Sequence, residues 1–117
     1  MNILFLTTHF NTGGITSYIL TLGEALVKSG HKVWVASSGG KDVARLELAG
    51  MRHVQINIRT KSEISPKLGL SFVPLKDLIQ KEGINIIHAQ TRVTQVLGFF
   101  LSRLIGVKMV TTCHGFF

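Results

Sequence analysis

The chain has 117 residues, 45% of them hydrophobic and 16% charged, and 13 basic residues against 6 acidic residues give a formal net charge of +7. This composition excludes a disordered chain, and the length fits one domain with one core. The positive charge favours anionic partners such as phosphates, nucleotide diphosphates or acidic lipids, and it does not choose among them.

The cysteine content and the apolar stretches predict the compartment. Cys113 is the single cysteine, which excludes an internal disulfide and fits a reducing environment. Residues 1–6 lack the basic segment of a secretory signal. The longest apolar stretch, residues 96–110, is too short to span a bilayer and contains Arg103 and Lys108. We therefore expect a cytoplasmic protein, either soluble or held peripherally at the inner face of the membrane.

The first half of the chain alternates between strand and helix patterns. A short apolar run at residues 3–6 predicts a buried strand, and residues 15–26 then carry apolar side chains at helical spacing. A second buried strand is predicted at residues 33–36. A shorter helix follows at residues 41–49, and Gly50 closes it.

The middle of the chain contains an edge-strand pattern and a proline-marked helix. Residues 54–58 alternate between apolar and polar, which predicts an edge strand with one wetter face. Residues 59–65 form a basic, polar linker. Pro66 starts the third helix, and Pro74 is expected to kink or divide it before residues 75–81.

The last part of the chain has the clearest amphipathic helix. A strand is predicted at residues 84–87, a helix at residues 93–104 between a Thr91 cap and Gly106, and a final strand at residues 109–110. We interpret the apolar stripe of this helix as core packing rather than as a membrane contact. The apolar residues so interpreted are Val93, Val96, Leu97, Phe99, Phe100, Leu101 and Leu104.

The alternation of five strands with four helices predicts the fold. It indicates an α/β fold, a Rossmann-like doubly wound parallel sheet with right-handed crossovers and five strands in the order 3-2-1-4-5. Ligands of such sheets bind beyond the carboxyl ends of the strands, where the strand order reverses. Here that point lies between the first and fourth strands.

Polar residues follow the strands that meet at this point. Gly13 and Gly14 precede the first helix, where free amide groups and a partial positive charge favour a phosphate. His114 is the leading catalytic candidate, because Gly115 after it would expose the imidazole. The remaining candidates for binding an acceptor or a diphosphate are His9, Asn11, His88, Gln90 and Arg92.

Each of these residues also has a structural interpretation. The glycines suit an ordinary turn, a strand-end histidine is more often a structural hydrogen-bonding residue than a catalyst, and Arg92 suits a solvated charge. His31 and His53 are expected to precede strands and to lie on the opposite rim. Cys113 fits a buried strand residue rather than a nucleophile.

Several sites are disfavoured by missing motifs. The chain lacks the G-x-G-x-x-G turn and the strand-end acid of a nicotinamide site, and it lacks a P-loop. It has no D-x-D pair, since Asp42 and Asp77 are far apart. No second ligand accompanies His114 at zinc-site spacing. We expect no metal and no cofactor.

The ordered set of these motifs resembles glycosyltransferase family 4. Residues 1–6, the Gly-Gly loop and residues 15–33 are similar to the opening of that family. Residues 85–90, with the sequence NIIHAQ, resemble its Asp-x-x-His-x-His motif, with Asn85 and Gln90 in place of the Asp and the second His. Residues 110–115 resemble its strand that ends in His-Gly. The resemblance covers essentially the whole chain.

The resemblance implies a retaining, nucleotide-sugar-dependent enzyme of the GT-B architecture, a hexosyltransferase in cell-surface glycan or glycolipid synthesis. Residues 1–117 would be its amino-terminal, acceptor-side domain, truncated, with the donor-binding domain absent. Gly14 would contact the donor diphosphate or the acceptor. His114 would lie beside the transferred sugar and stabilise the oxocarbenium-like state or the departing diphosphate. The donor would be a substrate, and no metal would be required.

Three further expectations concern partners. The chain alone should be inactive, and its exposed edge strand, residues 108–112, should promote self-association. The alternative function is a non-catalytic, flavodoxin-like module that binds an anionic ligand or partner. A peripheral membrane contact through Lys61, Lys67 and Lys76 is a weaker hypothesis. Nucleic-acid binding is disfavoured because the basic residues are scattered.

Overall fold

The computed structural model describes residues 1–7, 14–56, 66–90 and 92–111. These residues form a parallel sheet of five strands in the order β3-β2-β1-β4-β5, which confirms the predicted topology. The strands are β1 (Asn2–Leu6), β2 (Lys32–Ser37), β3 (Arg52–Gln55), β4 (Ile86–Ala89) and β5 (Lys108–Thr111).

Four helices connect the strands, as the sequence predicts. They are α1 (Gly14–Lys28), α2 (Val43–Leu48), α3 (Pro66–Glu82) and α4 (Arg92–Ile105). None of the helices in the described ranges has both the length and the apolar character needed to cross a bilayer.

The helices cover the two faces of the sheet in pairs. On one face, Phe5 of β1 packs in a core with Ile19 of α1 and Leu46 of α2. On the other face, Leu4 and Leu6 pack in a core that includes side chains of both α3 and α4. Burial on both sides explains why the run at residues 3–6 lacks polar alternation.

Pro74 does not divide α3, which runs as one helix from Pro66 to Glu82. The expectation of a division is therefore wrong. A proline inside a helix removes one backbone hydrogen bond and costs about 3 kcal/mol. Leu75 and Ile79 follow it and are both buried in the core under α3, and this packing offsets that cost.

Two strands begin at positions that differ from the predicted ones. β3 begins at Arg52 rather than at residue 54, so His53 lies within the strand and not before it. β4 begins at Ile86, because the Ile84 amide instead donates to the carbonyl of Ile79 at the end of α3. His88 consequently lies inside β4 rather than beyond its end.

The outer side of α4 is the largest departure from the predicted core. Leu97 and Leu101 are buried, whereas Phe99 is 51% exposed, Phe100 52% and Leu104 71%. Successive helical residues rotate by about 100°, so the predicted stripe is wider than the face that contacts the sheet. The interpretation of Phe99, Phe100 and Leu104 as core residues is wrong.

Candidate functional site

The point where the strand order reverses lies between β1 and β4, whose last residues, Leu6 and Ala89, are register partners. Thr7 and Gln90 follow directly. The Thr7 amide donates to the Ala36 carbonyl at 3.1 Å, and the Gln90 amide donates to the Leu6 carbonyl at 2.9 Å. Both residues therefore continue the ladder of the sheet by one step, and both of their side chains are buried.

Two helices begin at the same edge. Gly14 begins α1 and Arg92 begins α4, and neither helix carries an acidic residue in its first turn. The partial positive charge at each helix amino terminus is therefore not offset by its own side chains. A Cβ added at Gly14 would have no heavy atom within 4 Å, so the backbone there is open to a ligand.

Buried polar side chains lie in the first turn of each helix. Thr16 of α1 and Thr94 of α4 are both buried, as are Thr7 and Gln90 at the strand ends. We call Thr7, Thr16, Gln90 and Thr94 the switch-point cluster. Among the described residues, every buried side-chain nitrogen or oxygen has a hydrogen-bond partner. The cluster is therefore satisfied internally, which favours a rigid base for a binding site.

Sequence reasoning identified Gln90 and Gly14 but missed the three threonines. The only signal was a hydroxyl one residue after a strand or in the first turn of a helix, and burial cannot be read from that spacing. Gln90 itself is oriented by its Nε2, which donates to the His88 carbonyl at 3.2 Å.

His88 packs among aromatic rings two residues before the edge. Its ring centroid lies 5.2 Å from that of Phe5, its register partner on β1, and 6.0 Å from that of Tyr18 on α1. The half-buried imidazole therefore connects β1, β4 and α1. This geometry supports the structural interpretation of His88, and a role in ligand binding stays a prediction.

The other predicted site residues fall outside what the structure describes. For Arg92 only its place at the start of α4 is described. The predicted meeting of Gly14 with His114 therefore stays a prediction. The predicted residues beyond the described ranges are His9, Asn11, Gly13, His114 and Gly115.

A second polar group lies at the carboxyl ends of β2 and β3. Ser37 Oγ lies 2.7 Å from His53 Nε2 and accepts the Gly39 amide at 3.0 Å. Gln55 Nε2 donates to the Ser38 carbonyl at 2.6 Å. These contacts hold the loop after β2 against the edge strand.

His53 was expected on the opposite rim, and that prediction is wrong because β3 begins at Arg52. Burial lowers the pKa of His53, and the charge of Glu47 opposes this effect. The neutral imidazole suits a role as acceptor of the Ser37 hydroxyl. Since Ser37 is completely buried, the pair positions a loop and does not present a nucleophile.

Neither a metal nor the opposite edge of the sheet adds to this site. In the described ranges, no three His, Cys, Asp or Glu side chains are grouped so that they could hold a metal ion. Independence from metals stays a prediction. A cleft of about 420 Å³ lies at the amino edge of the sheet, away from the switch point. Its lining residues are Met1, Ile84, Asn85, Ile86, Gly106, Val107 and Lys108.

The sequence pattern that defines Glycosyltransferase Family 4 matches residues 12–117 of this chain, which is most of its length. The chain belongs to glycosyltransferase family 4. This confirms the resemblance drawn from the motifs, and it places the chain among GT-B glycosyltransferases.

One family relative is a human protein, the catalogued first component of phosphatidylinositol N-acetylglucosaminyltransferase. It is 24% identical to this family 4 chain over 124 residues, which cover 99% of the chain and 26% of the relative. The chain thus spans about a quarter of that protein.

Two solved structures share the fold. A glycosyltransferase from Rickettsia africae superposes with a TM-score of 0.82 at 20% identity, over 99% of this chain and 30% of its own. MurG of Acinetobacter baumannii superposes with a TM-score of 0.73 at 16% identity, over 98% of this chain and 36% of its own. The family 4 chain corresponds to about a third of each.

Proposed function

We propose that this chain is the amino-terminal, acceptor-side domain of a retaining hexosyltransferase, which transfers a sugar from a nucleotide-sugar to an acceptor in glycan or glycolipid synthesis. Membership of family 4 supports the class of reaction. The name of the human relative, an N-acetylglucosaminyltransferase that acts on phosphatidylinositol, supports a glycolipid acceptor. The observation that carries the proposal is the convergence of two helix amino termini and the switch-point cluster on one edge of the sheet.

The open backbone at Gly14 supplies the contact for an anionic group. Its side of α1 has room for a ligand, and the amide groups of the first helical turn have no partner within the helix. A diphosphate or an acceptor phosphate placed there would receive hydrogen bonds and a favourable helix dipole. The switch-point cluster would hold the two helix ends at a fixed separation.

His114 is the proposed catalytic residue. β5 ends at Thr111 and lies next to β4 in the sheet, so the segment that follows it leaves from the same edge as Gln90. In the proposed mechanism the imidazole lies beside the transferred sugar and stabilises the oxocarbenium-like state or the departing diphosphate. His9, Asn11, Gly13, Arg92 and Gly115 remain proposed binding residues, and no metal or cofactor takes part.

The 117-residue chain alone should not transfer sugar. The donor-binding half would supply much of the preorganised charge around the transition state, and such charge is usually the largest catalytic contribution. Turnover of any common nucleotide-sugar by the purified chain would contradict this expectation. Tight binding of a diphosphate without transfer by any longer form would instead favour the non-catalytic, anion-binding module.

The decisive substitution is His114→Ala in the complete glycosyltransferase that contains this domain. Loss of a stabilising group at the transition state should lower kcat about a hundredfold or more. His31→Ala is the matched control, because His31 lies at the amino edge of the sheet, where its Nδ1 contacts the amino group of Met1. Equal turnover of the two variants would remove His114 from the site.

A further inference from the structure

The outer side of α4 presents apolar side chains that no described element covers. Phe99 is 51% exposed, Phe100 52% and Leu104 71%, and the ring centroids of the two phenylalanines lie 5.8 Å apart. The opposite side of the helix is fully used, because Leu97 and Leu101 are buried in the core. We call Phe99, Phe100, Arg103 and Leu104 the α4 surface.

The charge on this surface is positive. Arg103 places its guanidinium carbon 5.8 Å from the centre of the Phe99 ring. No Asp or Glu occurs anywhere after Glu82 in the sequence. The neighbouring helix α3 adds Lys76 and Lys81 to the exposed residues, against Asp77. A partner of this surface must therefore cover aromatic and aliphatic groups and also tolerate or supply negative charge.

We propose that the α4 surface docks the domain on a membrane that contains anionic lipids. Helices that lie in a membrane interface combine aromatic and leucine residues on one side with basic residues that reach the headgroups. Arg103 can extend along Phe99 and keep its charge at the level of the lipid phosphates while the rings enter the acyl boundary. The proposal does not depend on the enzymatic function.

A second copy of the chain is a poorer occupant. A two-fold dimer centred on α4 would bring the same surface together from both protomers. It would place Arg103 against its own copy, and α4 has no carboxylate to neutralise the pair. The same charge that opposes this dimer is complementary to lipid phosphates.

The test is sedimentation of the purified chain with phosphatidylcholine vesicles that contain phosphatidylglycerol. We expect binding that weakens as salt rises. Leu104→Ser should weaken binding about tenfold through the lost apolar area. Arg103→Gln should weaken it about fivefold, the effect of one basic residue near an anionic surface. Vesicles of phosphatidylcholine alone should bind much less chain.

The matched control is Leu48→Ser, since Leu48 is 89% exposed on α2, on the other face of the sheet. This variant should bind acidic vesicles as the unaltered chain does, and circular dichroism should show that all variants are folded. No binding to acidic vesicles would overturn the proposal. So would equal losses in the two leucine variants, or an Arg103→Gln variant whose only defect is weaker self-association in light scattering.

Discussion

Ser37 Oγ lies 2.7 Å from His53 Nε2, across the pairing of β2 with β3. Ser37 also accepts the Gly39 amide, so the contact ties the loop after β2 to the edge strand. Burial lowers the pKa of His53, and the charge of Glu47 raises it by a smaller amount. The arrangement links the protonation of one imidazole to the position of that loop.

The free energy of unfolding should therefore fall as the pH decreases below the ordinary histidine value of 6.5. Above that value His53 is neutral in both states and its contribution is fully present. As the pH falls towards the lowered folded-state pKa, the unfolded chain binds more protons and the contribution is lost. Urea unfolding between about pH 5 and about pH 8 measures this slope, which His53→Gln should reduce.

Ser37→Ala separates burial from hydrogen bonding as the cause. Because desolvation is the larger effect on the pKa of His53, this variant should be less stable at every pH and should keep most of the slope. A slope that disappears in Ser37→Ala, or persists in His53→Gln, would contradict this account.

Two helix glycines should respond oppositely to alanine. A Cβ at Gly23 of α1 would overlap the buried sulfur of Met51, so Gly23→Ala should destabilise the chain by about 1–3 kcal/mol. At Gly98 of α4 the nearest atoms, on Met109 and Ile87, stand at ordinary contact distance. Gly98→Ala should stabilise by up to about 1 kcal/mol through helix propensity. Chemical denaturation measures both, and equal effects would refute the packing argument.

Gln90 should be important for stability as well as for the proposed site. Its side chain is buried and donates to the His88 carbonyl, so Gln90→Met should cost about 1–3 kcal/mol. Gln80 is exposed on α3, and Gln80→Met should change stability by less than about 0.5 kcal/mol. Similar unfolding midpoints for the two variants would show that the buried amide contributes little.

Gly14 should be important for ligand binding and not for stability. Its φ is not positive, and a Cβ there would meet no atom within 4 Å, so Gly14→Val should change the free energy of unfolding by less than about 1 kcal/mol. In the complete enzyme, the valine methyl groups should block the approach of an anionic group and raise KM about tenfold or more. A normal KM in the folded variant would place the ligand elsewhere.

Self-association should depend on β5, which forms one edge of the described sheet. Lys108, Val110 and Thr111 are exposed, and an uncovered edge pairs readily with another chain. Val110→Lys should shift light scattering towards the monomer, while Leu48→Lys on α2 should not. A monomeric unaltered chain at high concentration would refute this prediction.

The fold could be predicted because its signals are local. The strand runs and the helical spacing recur along the chain, and few sheet topologies accommodate five strands alternating with four helices. Gly14 and Gln90 could be placed at one edge by the same reasoning, since the carboxyl ends of parallel strands meet there. The burial of Thr16 and Thr94 could not, because a threonine in a first helical turn is equally consistent with exposure.

The sequence by itself thus determined the class of fold, the strand order and the family, all of which follow from periodicity and from the order of short motifs. Only the tertiary structure decided which apolar residues face outwards and which polar residues pair. Phe99 and Phe100 are exposed because the rotation of α4 on the sheet turns Leu97 and Leu101 inwards instead. Ser37 meets His53 because the register of β2 against β3 sets their distance, and no local pattern encodes that register.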